Sequence, residues 1–360
     1  SPYPDYGSYV NLVEATLPIY TGGRVTSSIA AAEAELSAQK ENLTGAYQDL
    51  RLSVASAFFT VLRTDDMAKL SREAVERLQA HVDNVSMLME AGRVGRADLL
   101  RSEVELFDTE RQMINATNQY EVAIKQLNDL MGLPLDTPLR LRGTMSYVEF
   151  PYTLEECIAD AMEKHPKLTA ARWIVEQSKA GVQVAASAKR PQASITMTQT
   201  LSSTSDWPGF RKDNFLAALQ VQYTLLDAGL ASSQIAEAKE NVSRASLNRD
   251  SVADSIKLSV TTDFMGTQEA ALRIKKTASA LDKARESYEI SVFRYDQGVG
   301  TNIDVIDAQI ALTQANSNYT QALCDYNIAV ARLENSMGGL PARTDPEFDK
   351  KPKDKKSGGE

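Results

Sequence analysis

The chain has 360 residues, a net charge of −9, only 7% aromatic residues and two cysteines. That balance excludes most nucleic-acid binders, since no basic stripe interleaved with aromatics occurs, and it suits a surface or lumen that prefers cations. No run of 18 apolar residues occurs, which excludes a transmembrane helix but not a membrane β-barrel, whose alternating strands escape a hydropathy scan.

The N-terminus opens with the turn-rich SPYPDYG and not with a signal peptide, so the chain is expected to be processed, truncated or cytosolic. Residues 9–17 alternate weakly and predict a strand. A corner containing Gly23 follows, and a helical pattern then runs without proline over residues 24–89, a rod of ~100 Å at 1.5 Å per residue. The turn 91–95, with Gly92 and Gly95, ends the rod, because glycine supplies the left-handed backbone that closes a helix. A return helix over 97–131, about 50 Å long, stops at Gly132.

Residues 133–165 form a proline-containing segment in which Thr153-Leu154-Glu155-Glu156 has the form of a capping box opening a short helix to His165. Pro166 starts a helix to residue 189, and strands are predicted over 194–202 and 214–224. In the second strand Phe215, Leu219, Val221 and Tyr223 share one face, while Gln220, Gln222 and Thr224 lie on the other. The linker holding Trp207-Pro208-Gly209 makes the two strands an antiparallel hairpin. A corner at Gly229, a long helix over 230–295, a turn over 297–301 with Gly298 and Gly300, and a return helix over 303–337 follow. Residues 342–360 read as a disordered charged tail.

Residues 9–132 lie over residues 215–338 at a constant offset of 206, without a gap, with identities such as Gly23/Gly229, Phe58/Phe264, Gly92/Gly298, Asp98/Asp304, Tyr120/Tyr326 and Gly132/Gly338. The reading is therefore repeat one over 1–132, an equatorial belt over 133–165 and repeat two over 166–338. Helix lengths act as a shared ruler: one long helix leaves the strands, and two stacked short ones of about 36 and 50 Å return. By the same logic copy one should carry a further helix and strand before Tyr9, so an N-terminal truncation is expected. One chain offers too few strands to close a barrel, and copies around an axis would remove the open edges.

The repeat resembles the TolC-type outer-membrane channels, the exit ducts of tripartite efflux pumps and type I secretion systems. The likeness spans about residues 9–341 and is strongest in Tyr223-Thr-Leu-Leu-Asp-Ala-Gly229, in His165-Pro-Lys-Leu-Thr-Ala-Ala-Arg172 and in the stretch from Tyr295 to Ala308. It implies a mainly α fold with a small β part: a trimeric α-helical barrel of long antiparallel helices topped by an outer-membrane β-barrel of twelve strands. It also implies a homotrimer in the outer membrane of a Gram-negative (diderm) bacterium, extending into the periplasm and gated by an iris-like opening of the helix tips. Its partners would be a periplasmic adaptor (membrane fusion) protein, an inner-membrane RND or ABC transporter and outer-membrane lipid, with no nucleic acid.

By the same resemblance Asp304 and Asp307 form acidic rings at the periplasmic aperture, Asp98 and Tyr295 are closure links, and Gly92, Gly95, Gly298 and Gly300 mark tip turns where the adaptor docks. Phe215, Leu219, Val221 and Tyr223 would face lipid, and Gly23 and Gly229 are strand-to-helix corners. At Gly300 the chain departs from a family member that carries arginine, which puts one closing link in doubt, and the position of Asp307 is Arg101 in copy one.

Plainer readings stand beside these. Asp304 and Asp307 suit a helix N-terminus and a solvated face, Asp98 could be an ordinary capping acid, and Tyr295 a partly buried tyrosine. His81 and His165 are expected at the surface and in a turn, and Cys157 and Cys324 as unpaired thiols. No catalytic, metal or phosphate-loop constellation occurs, so neither an enzyme nor a cofactor is expected. The competing function is an elongated structural coiled-coil protein without transport activity.

Overall fold

The computed structural model describes residues 9–203 and 212–339. In chain order these form β1 (Tyr9–Tyr20), α1 (Arg24–Glu90), α2 (Arg96–Leu130), α3 (Leu154–Lys164), α4 (Pro166–Ala186), β2 (Gln192–Ser203), β3 (Lys212–Gln222), α5 (Leu230–Asp296) and α6 (Asn302–Ser336). The predicted linker at Trp207 and the charged tail lie outside the described residues. The chain divides into two compact units, residues 1–43 with 166–253 and residues 44–165 with 254–360. Each takes pieces of both sequence copies, because α1 and α5 run from the first unit into the second.

The first unit holds an antiparallel sheet in the order β1-β2-β3. β1 and β2 are longer than their sequence pattern, and β3 has the expected length but begins and ends two residues earlier. β1 continues past residue 17 through Pro18, where the register with β2 shifts. Pro18 still pairs with Ser194 and Ile19 is the residue left out; the proline is tolerated because β1 is an outer strand and a bulge follows at once. β3 ends at Gln222, which leaves Tyr223 just beyond the strand. The helix expected to reach residue 189 stops at Ala186 and tightens into a 3-10 turn over Ser187–Lys189. Pro191 explains the stop, since it drives Arg190 into extended backbone, at φ −113° and ψ 150°.

Register decides the faces of this sheet, because residues paired across antiparallel strands point the same way. Leu17, Ile195 and Leu219 form one row, Ala15, Met197 and Ala217 the next, and Val13, Gln199 and Phe215 a third. The alternate rows hold Thr16 with Thr196, Glu14 with Thr198, and Ser194 with Gln220. One face is therefore largely apolar and the other largely polar, with Val10, Leu12 and Leu216 on the polar face and Asn11 and Gln199 on the apolar one among the exceptions. The apolar face is uncovered: Val13, Leu17, Phe215, Leu219 and Val221 are each more than 60% exposed.

Both corners are built to start a helix. At the first, the backbone of Gly22 is left-handed, at φ 65°, and accepts a hydrogen bond from the Arg190 guanidinium at 3.0 Å. At the second, Asp227 caps α5 by accepting from the N–H groups of Gly229 and Ala231 at 3.0 and 2.7 Å. Thr21 occupies the equivalent place in copy one, its hydroxyl accepting from Val25 N–H at 3.3 Å.

In the second unit the helices pack through small, separate clusters and not one thick core. Val61 of α1 meets Ala123 and Leu127 of α2, with Leu139 and Leu141 of the belt against them. Ala270 and Ile274 of α5 meet Ala322, Tyr326 and Val330 of α6, with Tyr147 and Phe150 against them. The belt thus packs on both hairpins. It is pinned by Asn128, whose amide donates to the carbonyls of Leu135 and Thr137, and by the Tyr326 hydroxyl, which donates to the Val148 carbonyl at 2.6 Å. Thr153 and Glu156 make the expected capping box at the start of α3. Cys157 and Cys324 are unpaired and buried, and burial pushes each thiol up to about 11, so both stay protonated at neutral pH.

Long helices with such thin cores leave apolar side chains uncovered. Leu100, Phe107 and Ile114 recur at seven-residue steps on α2, and Leu258, Met265 and Leu272 do the same on α5, all exposed. Among the described residues no helix is long and apolar enough to cross a membrane.

A Cβ at Gly22 would lie 2.9 Å from both the Arg190 Cβ and the Ser187 carbonyl oxygen, on backbone that is already left-handed. Gly22→Ala is expected to destabilise the protein by roughly 1–3 kcal/mol. Gly132→Ala, also left-handed but in open space, should cost only about 1 kcal/mol. Thermal unfolding of the two variants in detergent checks the order.

Candidate functional site

The turns between α1 and α2 and between α5 and α6 are made the same way. Gly92 and Gly298 have φ of 70° and 72°. The next residues, Arg93 and Val299, donate back to the carbonyls of Leu88 and Arg294, each at 2.9 Å. These bonds close the last turns of α1 and α5. The apolar residues beneath join all four helices: Val85, Tyr295 and Val305 form a buried cluster flanked by Leu88, Leu99, Tyr288 and Val292.

The two copies then diverge. In copy two Thr301 caps α6: its hydroxyl accepts from Asp304 N–H at 3.2 Å, and the Asp304 carboxylate accepts from Thr301 N–H at 3.0 Å. The Thr301 N–H holds the Asp304 carboxyl below the ordinary aspartate value of 3.8. Its capping contribution is therefore complete at neutral pH and is lost as pH falls below 3.8 through the depressed value. In copy one the cap position is Gly95, which has no side chain to offer, and Asp98 enters no such box.

Asp304 and Asp307 are exposed and line one open groove with Arg294, Gly300 and Ser291. Asp307 also lies within electrostatic reach of Glu105 on α2. Burial first, and then Asp108 and Asp307, push the Glu105 carboxyl upward. Two expected site residues thus share a groove, and one of them already serves as a helix cap. Gly300 has ordinary backbone, but a Cβ there would come within 3.0–3.2 Å of Tyr295 N and the Arg294 backbone and Cβ. Any side chain at this place must push the turn away from the end of α5.

Asp98 and Tyr295 approach without bonding. Burial raises the Tyr295 phenol above its ordinary value, with Asp98 and Asp296 adding to the rise. Its hydroxyl, enclosed in a residue only 6% exposed, has no hydrogen-bond partner among the described residues. The Tyr295 ring instead rests against His81, with centroids 5.3 Å apart.

His81 overturns its sequence reading. It is 8% exposed and not a surface residue, because it falls in the buried stripe of Leu78, Val82 and Val85 on α1. His165 is at the end of α3, as a turn residue should be, but it too is buried. His81 Nε2 lies 2.7 Å from Asn302 Oδ1. The Asn302 amide donates to the Asp98 carbonyl at 2.9 Å and reaches the Ser102 hydroxyl at 3.0 Å. Ser102 and Asn302 are almost fully buried as well. Sequence reasoning missed this trio, although each polar side chain interrupts an apolar helical stripe, which is the signal that could have marked it.

One exposed and one-sided sheet, two pairs of long antiparallel helices and glycine turns define a TolC-like channel fold. The profile of the family described as "Outer membrane efflux protein" matches residues 3–133 and 157–339. The efflux protein BepC of Brucella suis is 21% identical over 95% of this chain and 75% of its own length. The cobalt-zinc-cadmium resistance protein CzcC of Cupriavidus metallidurans is 23% identical over 90% of this chain and 76% of its own. The open-state channel MtrE of Neisseria gonorrhoeae superposes with a TM-score of 0.77 at 18% identity, over 92% of this chain and 80% of that one. The chain belongs to the outer membrane efflux protein family. It is a TolC-type channel of the Gram-negative outer membrane, a transport protein and not an enzyme.

Thr301→Ala removes the hydroxyl half of the α6 cap. Amide exchange at Asp304 is expected to speed up by roughly fivefold, the size of a lost N-cap, with α2 amides unaffected. Hydrogen exchange followed by mass spectrometry reads both.

Proposed function

We propose that three copies of this chain close into an export duct that carries substrates from the periplasm to the cell exterior. The observation that carries this reading is the sheet. Its uncovered apolar face suits outer-membrane lipid, its Thr- and Gln-bearing face suits a water-filled lumen, and its two outer strands have edges that a closed barrel would pair. Fully burying Val13, Leu17, Phe215, Leu219 and Val221 would contribute roughly 1.5–3 kcal/mol each. The seven-residue apolar stripes of α2 and α5 support the same assembly, since that spacing keeps a seam facing a neighbouring helix. A purely structural rod would have no use for a lipid-suited sheet face.

In the trimer Asp304 and Asp307 form two acidic rings one helical turn apart at the periplasmic aperture. Capping does not weaken the first ring, because the Thr301 N–H favours the ionised carboxylate. Asp98 and Tyr295 take part in closure, and the duct opens by an iris-like movement of the α5–α6 hairpin. The turns at Gly92, Gly95, Gly298 and Gly300 dock a periplasmic adaptor protein, which joins the duct to an inner-membrane RND or ABC transporter.

Reconstituted in a planar bilayer, the protein is expected to conduct ions with cation selectivity. Asp304→Asn with Asp307→Asn should abolish both that selectivity and block by multivalent cations from the periplasmic side; unchanged selectivity would remove the acidic rings from the account. A monodisperse rod that needs no detergent and never conducts would overturn the duct itself. Leu219→Arg, on the apolar face, should cost roughly 2–4 kcal/mol of insertion near the bilayer midplane. Gln220→Arg, on the opposite face, should insert normally, and a bilayer partitioning assay separates the two.

A further inference from the structure

We propose that His81, Ser102 and Asn302 form an acid-released latch that ties the α5–α6 hairpin to the α1–α2 hairpin within one chain. The proposal rests on the reading that these hairpins separate when the duct opens. At the helix turns the chain has Gly300, which offers no side chain for a tie between hairpins, and the Tyr295 hydroxyl has no hydrogen-bond partner among the described residues. Further from the turns Arg63 donates to Gln321 and Asn335 to Asp49 across the two hairpins, but near the turns the buried hydrogen bonds between them converge on Asn302. It sits at the first position of α6 and reaches His81 on α1 and both Ser102 and the Asp98 carbonyl on α2. A second tie, from the Asn84 amide to the Asp296 carboxylate at 3.0 Å, lies at the exposed margin.

The geometry also fixes the state of the histidine. The Asp98 carbonyl can only accept, so the Asn302 nitrogen must face it, and Asn302 Oδ1 must face His81. That oxygen can only accept, so Nε2 of the ring carries the hydrogen and Nδ1 is the nitrogen left to take up a proton. The resulting cation would be poorly placed. It would be buried, and beside the N-terminal ends of α6 and α2, whose backbone dipoles repel positive charge.

The groups facing His81 come from all four helices. Asp296 on α5 favours the cation and is bonded to Asn84; the Tyr295 ring packs on the imidazole. Asp98 on α2 presents its carbonyl to Asn302 and its carboxylate toward Tyr295, and α6 brings the uncharged Asn302. Asp83 is on α1 itself, bonded to Gln79. Burial outweighs the pull of Asn302 and Asp296 and holds the imidazole below the ordinary histidine value of 6.5. A separated hairpin would let water reach the ring and restore that value. The latched form binds fewer protons than the released form, so acid favours release, and the effect grows as pH falls below 6.5 toward the depressed value.

The test uses the full chain in detergent with spin labels at Ala91→Cys and Gln297→Cys, one on each turn, and the two native thiols buried. Between pH 7.5 and pH 5.5 the fraction of long inter-label distances is expected to rise several-fold. His81→Gln, which keeps a donor for Asn302 but cannot titrate, should abolish the response. Asn302→Asp supplies an anionic partner that stabilises the histidine cation, and it should reverse the sign so that acid tightens the turns. Asn302→Ala should raise the separated fraction roughly tenfold at neutral pH. A wild-type distance that ignores pH, or an equal acid response in His81→Gln, would overturn the latch. Conductance recorded on the same samples keeps the two ideas apart: distances that respond in a protein that never conducts leave the latch and remove the duct. Normal conductance with pH-independent distances does the opposite.

Discussion

The fold depends on one constraint: its secondary structure exposes more apolar surface and more unpaired strand edge than the chain can cover. Two 67-residue helices, α1 and α5, are packed through clusters of only a few residues each. A helix of that length is normally held by an apolar stripe in contact along its whole course, because propensity alone contributes little. Here part of the stripe is in contact with a partner in the same hairpin, and part faces outward at seven-residue steps on α2 and α5. The sheet poses the same problem in β form, with one dry face and two open edges. In the duct proposed above, lipid and neighbouring copies of the chain would resolve both problems together.

Within the chain the two repeats carry different side chains on the same backbone. Their backbones agree closely at the turns, down to matching left-handed glycines and matching 2.9 Å closing bonds. Their side chains do not. Copy two has Thr301 and Asp304 in a reciprocal cap, with Asp307 one turn on, whereas copy one has Gly95, Asp98 and Arg101 at the equivalent places. The duplicated backbone is the scaffold, and the divergent side chains place a second acid, Asp307, after one turn where the other has Arg101, and a buried polar cluster between the two hairpins. Such a cluster is costly to bury unless every member is satisfied, and Asn302 comes close to satisfying it by bonding from α6 to both α1 and α2.

Much of this was legible from residue spacing. Helix lengths, glycine turns, the capping boxes at Thr153 and the strand pattern around Phe215 follow from local rules that act over a few residues, and those rules survive in the folded chain. Boundaries were less legible: the bulge at Pro18 extends β1 and the proline at 191 shortens α4, because pairing with a neighbour or a steric clash moves an end that periodicity leaves vague. His81 was misread for a different reason. A lone histidine on a long helix carries no mark of its environment, and its burial comes from α5 and α6, more than 200 residues away in sequence.

The sequence by itself determined the order of the elements, the matched lengths of the paired long helices and the family, since a gapless 206-residue offset constrains both copies to one geometry. Only the tertiary structure decided which faces of the sheet are apolar as a whole, because the register of β1 on β2 is a long-range pairing that no local pattern specifies. It also decided that Asp98 and Tyr295 stop short of a bond while His81, Ser102 and Asn302 meet. Hydrogen bonds are made or missed within a few tenths of an ångström, and that distance is set by how four helices pack, not by the identity of the residues they carry.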